Sequence, residues 1–394
     1  MADKKATRES YGKALVDLGE KYDILVLDAD LAAATKTGMF KKKFPERFFD
    51  CGIAEGNMMS VAAGIASTGK TVFASSFAMF AAGRAFEQVR NSIGYPHLNV
   101  KIGATHAGIT VGEDGATHQC NEDLALMRTI PGMTVICPAD ATEAYAAVEA
   151  AITTEGPMYL RFGRYAVPDL TPELVPDYKF EIGKGVTYRE GSDVTIVATG
   201  YMVHLALEAA DMLKEEGIDA GVINIHTVKP LDKALITEAA KRSGAIVTAE
   251  EHNVIGGLGS AVAEAVSETC PVPVIRVGVE DTYGRSGQVP ELLAAEGISA
   301  RVINIHTIKP LDKEIILDAA AKTGALVVAE EHNIIGGLGS AVAEVICENK
   351  PVPVIRVGVE DTFGRSGKVP PLLEMYGLTP ANIAAKAKLA IANK

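Results

Sequence analysis

A nearly identical tandem repeat constrains this 394-residue chain more than any other feature. "VINIHTVKPLDK" at 222–233 returns as "VINIHTIKPLDK" at 302–313, and "AEEHNVIGGLGSAVAE" returns as "AEEHNIIGGLGSAVAE". "PVPVIRVGVEDTYGRSG" likewise returns as "PVPVIRVGVEDTFGRSG", and His226 recurring as His306 fixes the offset at 80 residues. The differences, such as Val228 to Ile308 and Ile246 to Leu326, are conservative, as a retained packable core requires. Two copies are too few for a solenoid, which needs three or more units. Only the first copy directly follows the apolar run "DVTIVATG" and the amphipathic "HLALEAADMLKEEG". Sequential elements joined by short connections usually lie side by side in a parallel sheet, so the first copy is expected to complete that domain. The second is expected to extend the sheet, form a partial unit beside it, or swap into another chain.

Upstream of the repeat, short β-branched runs alternate with helical patterns. "YDILVLDADL", "KTVFASSFAMF" (running into a loop), "NVKIGATHAGI" and "MTVICPAD" read as strands, with "GNMMSVAAGIAST" and "ATEAYAAVEAAIT" as helices. Continuous apolar strands separated by helices predict an α/β fold, a parallel sheet with helices on both faces. The segment "RYAVPDLTPELVPDYKFEIGKG", rich in proline and charge, reads as a linker. The expected division is a first domain at 1–170, a linker at 171–192, a second domain at 193–298, and the second copy with the C-terminal tail at 299–394. Lys and Arg total 38 against 50 Asp and Glu, so the net charge of −12 disfavours nucleic acid as the main partner. The five cysteines show no CxxC and no zinc spacing, and "MADKKATRESYG" has no apolar signal core. Residues 58–83 are interrupted by Lys70 and by Ser, Thr and Gly, which argues against a membrane span. A cytoplasmic protein without nucleic-acid or membrane partners is expected.

Three clusters in the first half carry side chains suited to chemistry. Glu55 stands alone among apolar and small residues in "GIAEGNMMSVAAG". A carboxylate at a helix start is often there for the dipole alone; a buried one instead favours its neutral form and can hold a proton near neutral pH. Phe77 and Phe80, three apart in "SSFAMFAAGRAFEQVR", sit among Ser, Ala and Gly, which leaves room for a planar ring to stack. "ATHAGITVGEDGATHQCNEDLALM" gathers His106, Glu113, Asp114 and His118 into a glycine-rich loop between a strand and a helix. That arrangement is better explained by a polar pocket than by a structural histidine. Its spacing matches no zinc signature, and no HExxH is present.

These clusters, with "TRESYGKAL", "VLDADL", "MTVICPAD" and "LRFGR", together resemble the pyrimidine-binding half of transketolase. Both repeat copies, with "YGLTPANIAAKAKLAI", are similar to that family's C-terminal domain. The resemblance implies thiamine diphosphate as cofactor, with Glu55 hydrogen-bonded to its aminopyrimidine ring and favouring the imino form that helps the thiazolium C2 lose its proton. It implies that Phe77 and Phe80 enclose that ring and that Asp30 contacts the cofactor. His118 would polarise the donor's oxygens and Asp114 would read a sugar hydroxyl. Arg8, His106 and Arg164 would form the phosphate end of the channel, where guanidinium groups suit a phosphate fork. The catalytic set so implied is Glu55, His118 and His106. The family's diphosphate and Mg2+ site uses a GDG followed by Asn, which this sequence does not show. The resemblance therefore implies an N-terminal partner subunit that binds the metal, an α2β2 assembly, and sugar phosphates as substrates in the pentose phosphate pathway. Where the family commonly has Gln or His after the glutamate, Gly56 stands here, and Ala34 replaces a frequent serine.

Other readings compete. The β subunit of a 2-oxoacid dehydrogenase E1 component also carries a GIAE-type glutamate, but the two-histidine loop and the Arg8/Arg164 pair favour sugar phosphates. A fragment of deoxyxylulose-phosphate synthase fits less well. A Rossmann dehydrogenase would need a third glycine in "IGGLGSAVAE" and a ribose-binding acid. A non-catalytic interaction protein, its assembly altered by the extra copy, is the alternative of another class.

Overall fold

The computed structural model describes residues 4–286 and 308–363, together with Met375, Asn382, Lys386, Leu389 and Asn393. Its first layer is a seven-stranded sheet in the order Thr227–Lys229, Thr134–Ile136, Met158–Phe162, Val100–Thr105, Thr71–Phe77, Ile24–Asp28, Phe48–Asp50. Every pairing is parallel except the first, which is antiparallel. The central "VKIGAT" strand is buried at all of its positions, which is why its apolar residues run on rather than alternate. One face is covered by Met58, Met59 and Ala62 of the helix Glu55–Ala66 and by Val89 and Ile93. The other is covered by Tyr11, Leu15 and Leu18 of the helix Thr7–Leu18 and by Ala144, Ala147 and Val148 of the helix Ala141–Thr153. Asp140 caps the latter helix, its carboxylate accepting from the Glu143 amide at 3.0 Å. Met79–Arg84, where the sequence suggested a loop, is helical, and with Val89–Gly94 in the helical stretch "AFEQVRNSIGY" it forms wide, π-type turns, a conformation frequent at functional sites.

The second layer is a five-stranded sheet ordered Val274–Val279, Ile246–Asn253, Val194–Ala198, Ala220–Asn224, Val186–Arg189. The last strand is antiparallel and the others are parallel. Three of its strands, Val274–Val279, Ile246–Asn253 and Ala220–Asn224, carry residues of the first repeat copy, which is thus built into the same sheet as the strand Val194–Ala198. The strand Val186–Arg189 lies inside the stretch 171–192 read as linker, so the second sheet begins earlier than the sequence suggested. Pro172 and Pro176 hide it by punctuating the residues ahead, although "VTYR" has the β-branched and aromatic side chains of a strand. The second copy forms a unit of its own. Leu326–Asn333 and Val354–Val359 pair in parallel as a separate two-stranded sheet, packed by the helix Leu338–Asn349. Its "VINIH" stretch falls in 287–307, outside the described residues. Among the described residues, no helix is long and apolar enough to cross a membrane.

Two devices join the layers. Thr227–Lys229, a strand of the repeat, adds to the edge of the first sheet, and Lys229 Nζ donates to the carbonyls of Arg128 and Ile130 at 2.9 and 2.8 Å. Arg161, 5% exposed, donates from Nε to Asp123 Oδ2 at 2.9 Å and from Nη2 to the Glu251 carbonyl at 2.8 Å. Tyr159 donates to the same Asp123 oxygen at 2.8 Å. Removing one member of a buried pair leaves an uncompensated charge, so Asp123→Ala should cost about 3–5 kcal/mol in denaturant unfolding. A loss under about 1 kcal/mol, the range of exposed pairs, would show that water reaches Arg161.

Candidate active site

Ligands of open parallel sheets bind beyond the carboxyl ends of the strands, and the sequence-predicted residues gather there. At the end of Ile24–Asp28, the fully buried Asp28 carboxylate accepts from Leu31 N and from the hydroxyls of Thr35 and Thr37, at 2.7, 2.7 and 2.8 Å. Burial pushes its carboxyl up to about 6, against the pull of those three donors. The turn they fix presents the Ala34 carbonyl, to which Arg8 Nη1 donates at 2.8 Å.

The same Arg8 nitrogen lies 3.0 Å from His106 Nε2, while Thr105 Oγ1 lies 2.9 Å from His106 Nδ1. Guanidinium can only donate, so Nε2 accepts and Nδ1 carries the proton, donating to Thr105. Burial, reinforced by the charges of Arg8, Arg164 and Lys36, lowers His106 to about 3. It is therefore a neutral imidazole at any physiological pH. Its backbone is left-handed, φ 56°. The ring stacks on Phe77 at 3.8 Å between centroids, and Phe77 lies nearly parallel to Phe80 at 5.9 Å and 12°. His118 meets both phenylalanines edge-on, at 6.2 and 5.3 Å.

Glu55 opens the helix Glu55–Ala66 and is 2% exposed. The apolar company read from the sequence is incomplete: Arg84 Nη1 donates to both carboxylate oxygens, at 3.1 and 3.0 Å. The Arg84 guanidinium also lies 4.5 Å from the Phe80 ring centroid, tying the carboxylate to the ring cluster. Arg84 went unassigned in the sequence, although it is the only charged residue of the small, apolar run "FAMFAAGRAF".

The glycine-rich loop is held from the second layer. Thr110 N donates to Glu251 Oε1 at 2.5 Å, and a Cβ on Gly108 (φ 74°) would come 2.3 Å from Glu251 Cδ. Glycine is thus needed at 108 both for its conformation and for its close approach. Gln119 Nε2 donates to the carbonyls of Ile109, Gly112 and Arg285. Arg164 Nη1 donates to the Val111 carbonyl, and its Nη2 lies 3.9 Å from Glu113. Asp30 and Asp114 are both exposed, and among the described residues no side-chain contact joins either to the rings. Asp30 (φ 62°) instead gives its amide to Asp50 at 3.1 Å. A cavity of about 800 Å3 opens beside the cluster, lined among others by Phe80, Arg84, Thr117, Asn121, Tyr283 and Lys309. Among the described residues, no group of three or more His, Cys, Asp or Glu is placed to hold a metal ion.

A buried carboxylate beside two near-parallel phenyl rings fits the edge and face of an aminopyrimidine. This arrangement, on a parallel α/β sheet packed against a second one, marks the class of thiamine-diphosphate-dependent enzymes. The model of the transketolase pyrimidine-binding domain matches residues 3–169, and that of the transketolase C-terminal domain matches 183–295 and again 288–383. The chain belongs to the transketolase family, which sets it apart from the dehydrogenases considered above. It is 45% identical to the 6-deoxy-6-sulfo-D-fructose transketolase subunit SqwH of a Clostridium species, over 75% of this chain and 91% of that protein. It is 38% identical to an apulose-4-phosphate transketolase subunit of Phocaeicola vulgatus, over 74% of this chain and 93% of that protein. Among solved structures, a split gene transketolase, described as an inactive beta4 tetramer, superposes with a TM-score of 0.67. It shares 56% identity, over 75% of this chain and 94% of that one. The family implies thiamine diphosphate as cofactor.

Glu251 is the second residue the sequence did not single out. Burial pushes its carboxyl up to about 7, against the attraction of Arg161. A raised pKa means that the fold binds a proton the unfolded chain releases. Its stabilising contribution is therefore complete below about 4.5, the ordinary glutamate value, and is lost as pH rises through about 7. Glu251→Gln, which mimics the neutral form, should raise the Tm at pH 8 and leave it unchanged at pH 4.5. The difference should grow by up to about 1.4 kcal/mol per pH unit between those limits. A gap constant with pH, in thermal melts across that range, would remove Glu251 as its source.

Proposed function

We propose that this chain is the C-terminal subunit of a two-chain transketolase that moves a two-carbon ketol unit from a ketose phosphate such as xylulose 5-phosphate to an aldose phosphate such as ribose 5-phosphate. One observation carries the phosphate part of this reading. Arg8 and Arg164 share a corner with an imidazole held neutral, where Lys36 adds positive charge and Glu113 stands 3.9 Å from Arg164. Burial and the charge of Arg164 both lower the pKa of Arg8, which means that the two guanidinium groups repel each other. A phosphate between them would offset that repulsion and accept from both. The relatives named for sulfofructose and apulose 4-phosphate support the class of sugar substrate.

The cofactor, when bound, supplies an electron sink for the transferred unit. Glu55 would face the ring nitrogen of its pyrimidine and exchange a proton there, sharing its oxygens with Arg84. Phe77 and Phe80 would enclose the ring and exclude water. His118 would donate to the donor's oxygens, His106 would accept from Arg8 and so hold it at the phosphate, and Asp114 would meet a sugar hydroxyl. Asp30 would touch the cofactor from the neighbouring strand end. The diphosphate and Mg2+ would be held by an N-terminal subunit in an α2β2 particle, in the cytoplasm and the pentose phosphate pathway. Subunit-named relatives support an assembly with another chain.

The reading is tested by assaying the chain with thiamine diphosphate, Mg2+ and a candidate N-terminal subunit on xylulose 5-phosphate and ribose 5-phosphate. Glu55→Gln keeps the shape of the side chain but cannot exchange the proton, and kcat should fall on the order of 10²- to 10⁴-fold. Turnover within a few-fold of the unaltered chain would remove Glu55 from the chemistry. Arg164→Ala should weaken phosphorylated donors by about 1.5–3 kcal/mol in kcat/KM while sparing hydroxypyruvate. Equal losses on both donors would assign Arg164 to holding the Val111 loop instead.

A further inference from the structure

The two repeat copies meet through contacts that read the same in both directions. Ser260 Oγ donates to Glu344, and Ser340 Oγ donates to Glu264 at 2.6 Å. Arg276 pairs with Glu344 and Glu348 at 2.8 and 2.9 Å, and Arg356 pairs with Glu264 and Glu268 at 3.4 and 2.6 Å. Lys309 pairs with Asp281 at 2.5 Å, and Lys229 with Asp361 at 2.7 Å. Each pair maps onto its opposite number by the 80-residue offset, so that residue i of one copy meets j of the other and j meets i. That is the rule of an isologous, two-fold interface, here within a single chain. It is well buried: Ser260 is 0%, Ser340 2%, Glu264 5%, Glu344 7% and Arg356 8% exposed. Cys347, from the second copy, belongs to the first copy's apolar core, its thiol 3.6 Å from the Ala263 carbonyl.

Self-complementarity has a consequence for other molecules. The first copy carries Ser260, Glu264, Glu268 and Arg276 in the same positions as the second carries Ser340, Glu344, Glu348 and Arg356. Another chain's first copy would therefore present, at this face, the same groups that the second copy presents. We propose that the helix Leu258–Thr269 and Arg276 form a face by which C-terminal domains of this chain associate in pairs, and that the second copy caps this face from within the chain. The covalent link gives the second copy an effective concentration on the order of millimolar, which a separate chain does not reach in ordinary solution. The cap is thus closed by default. This inference does not rest on thiamine chemistry or on the identity of the substrate.

The test uses the full-length chain, with sedimentation equilibrium to count chains per particle and hydrogen exchange to follow the helix Leu338–Asn349. Arg356→Glu sets a carboxylate against Glu264 and Glu268 while leaving Arg276 and both glutamates of the first copy intact. The helix Leu338–Asn349 should lose protection, and the number of chains per particle should double as the freed faces pair. Adding Glu268→Arg restores an opposite charge to the cap and should return both readouts to those of the unaltered chain. Glu348→Arg, which opposes Arg276 from the other side of the two-fold axis, should act as Arg356→Glu does and guards against a folding defect peculiar to one variant. A released helix with no change in chains per particle would overturn the proposal. So would a helix that stays protected in both Arg356→Glu and Glu348→Arg.

Discussion

The buried guanidinium of Arg161 is the constraint on which the site depends. A charge in the interior is tolerated only where partners surround it, and here they come from three parts of the chain. Asp123 opens the helix after the glycine-rich loop, Cys120 lends its carbonyl from the end of that loop at 3.5 Å, and Glu251 lends its carbonyl from the second sheet. Asp123 is fully buried, so neither ion has water to fall back on. Satisfying Arg161 therefore fixes the loop's far end and the second layer at once. The Glu251 side chain, carried by the same residue as that carbonyl, then reaches back to the loop's Thr110 amide. The loop that carries His106 and His118 is held at both ends by one strand residue and its neighbour across the layers.

Around that frame the ionisable groups gather at the two ends of the ring cluster. His106 is kept neutral, and burial also favours the neutral form of Glu251 and of Asp28. Arg8 and Arg164, with Glu113 3.9 Å from Arg164, stand at one end of the ring cluster, and Glu55 with Arg84 at the other. The rings of Phe77, Phe80, His106 and His118 fill the space between. A site arranged in this way offers a cationic end for an anion, an apolar slot for a flat ring, and a carboxylate at the slot's edge. The division of labour follows from burial as much as from residue type, because the same histidine in water would carry part of the positive charge itself.

Much of this was legible in the sequence, and the rest was hidden for a definite reason. Strands such as "VKIGAT" announce themselves because burial on both faces demands continuous apolar residues. The glycine-rich loop announces itself because two histidines and two acids in so flexible a stretch have no structural purpose. Arg84 and Glu251 did not, because their roles depend on partners 29 and 141 residues away. Nothing local distinguishes Glu251 from Glu250, its neighbour, which turns to the other side of the strand and accepts from the amides of Leu258 and Gly259 at 2.6 and 2.7 Å. The strand Val186–Arg189 was obscured by the prolines ahead of it, since it is an edge strand of four residues whose place is set by Ala220–Asn224.

The repeat separates what sequence dictates from what a neighbour dictates. Glu330 in the second copy holds the amides of Leu338 and Gly339 at 2.7 and 2.8 Å, just as Glu250 holds its own helix. That contact is local, and the shared sequence reproduces it. His252 and His332 behave differently although both stand in "AEEHN". His252 is fully buried, with Nε2 3.3 Å from the Ala125 amide of the first domain, whereas the His332 side chain is 58% exposed. His252 lies against the first domain and His332 does not, although Phe363 of the second copy meets Tyr95 of that domain edge-on at 5.0 Å. Burial of the histidine, and with it the rigid seating of the glycine-rich loop beside the second layer, is thus a property of the domain contact rather than of the motif. A duplicated stretch can carry every residue of a site and still lack the contacts that depend on where it lies.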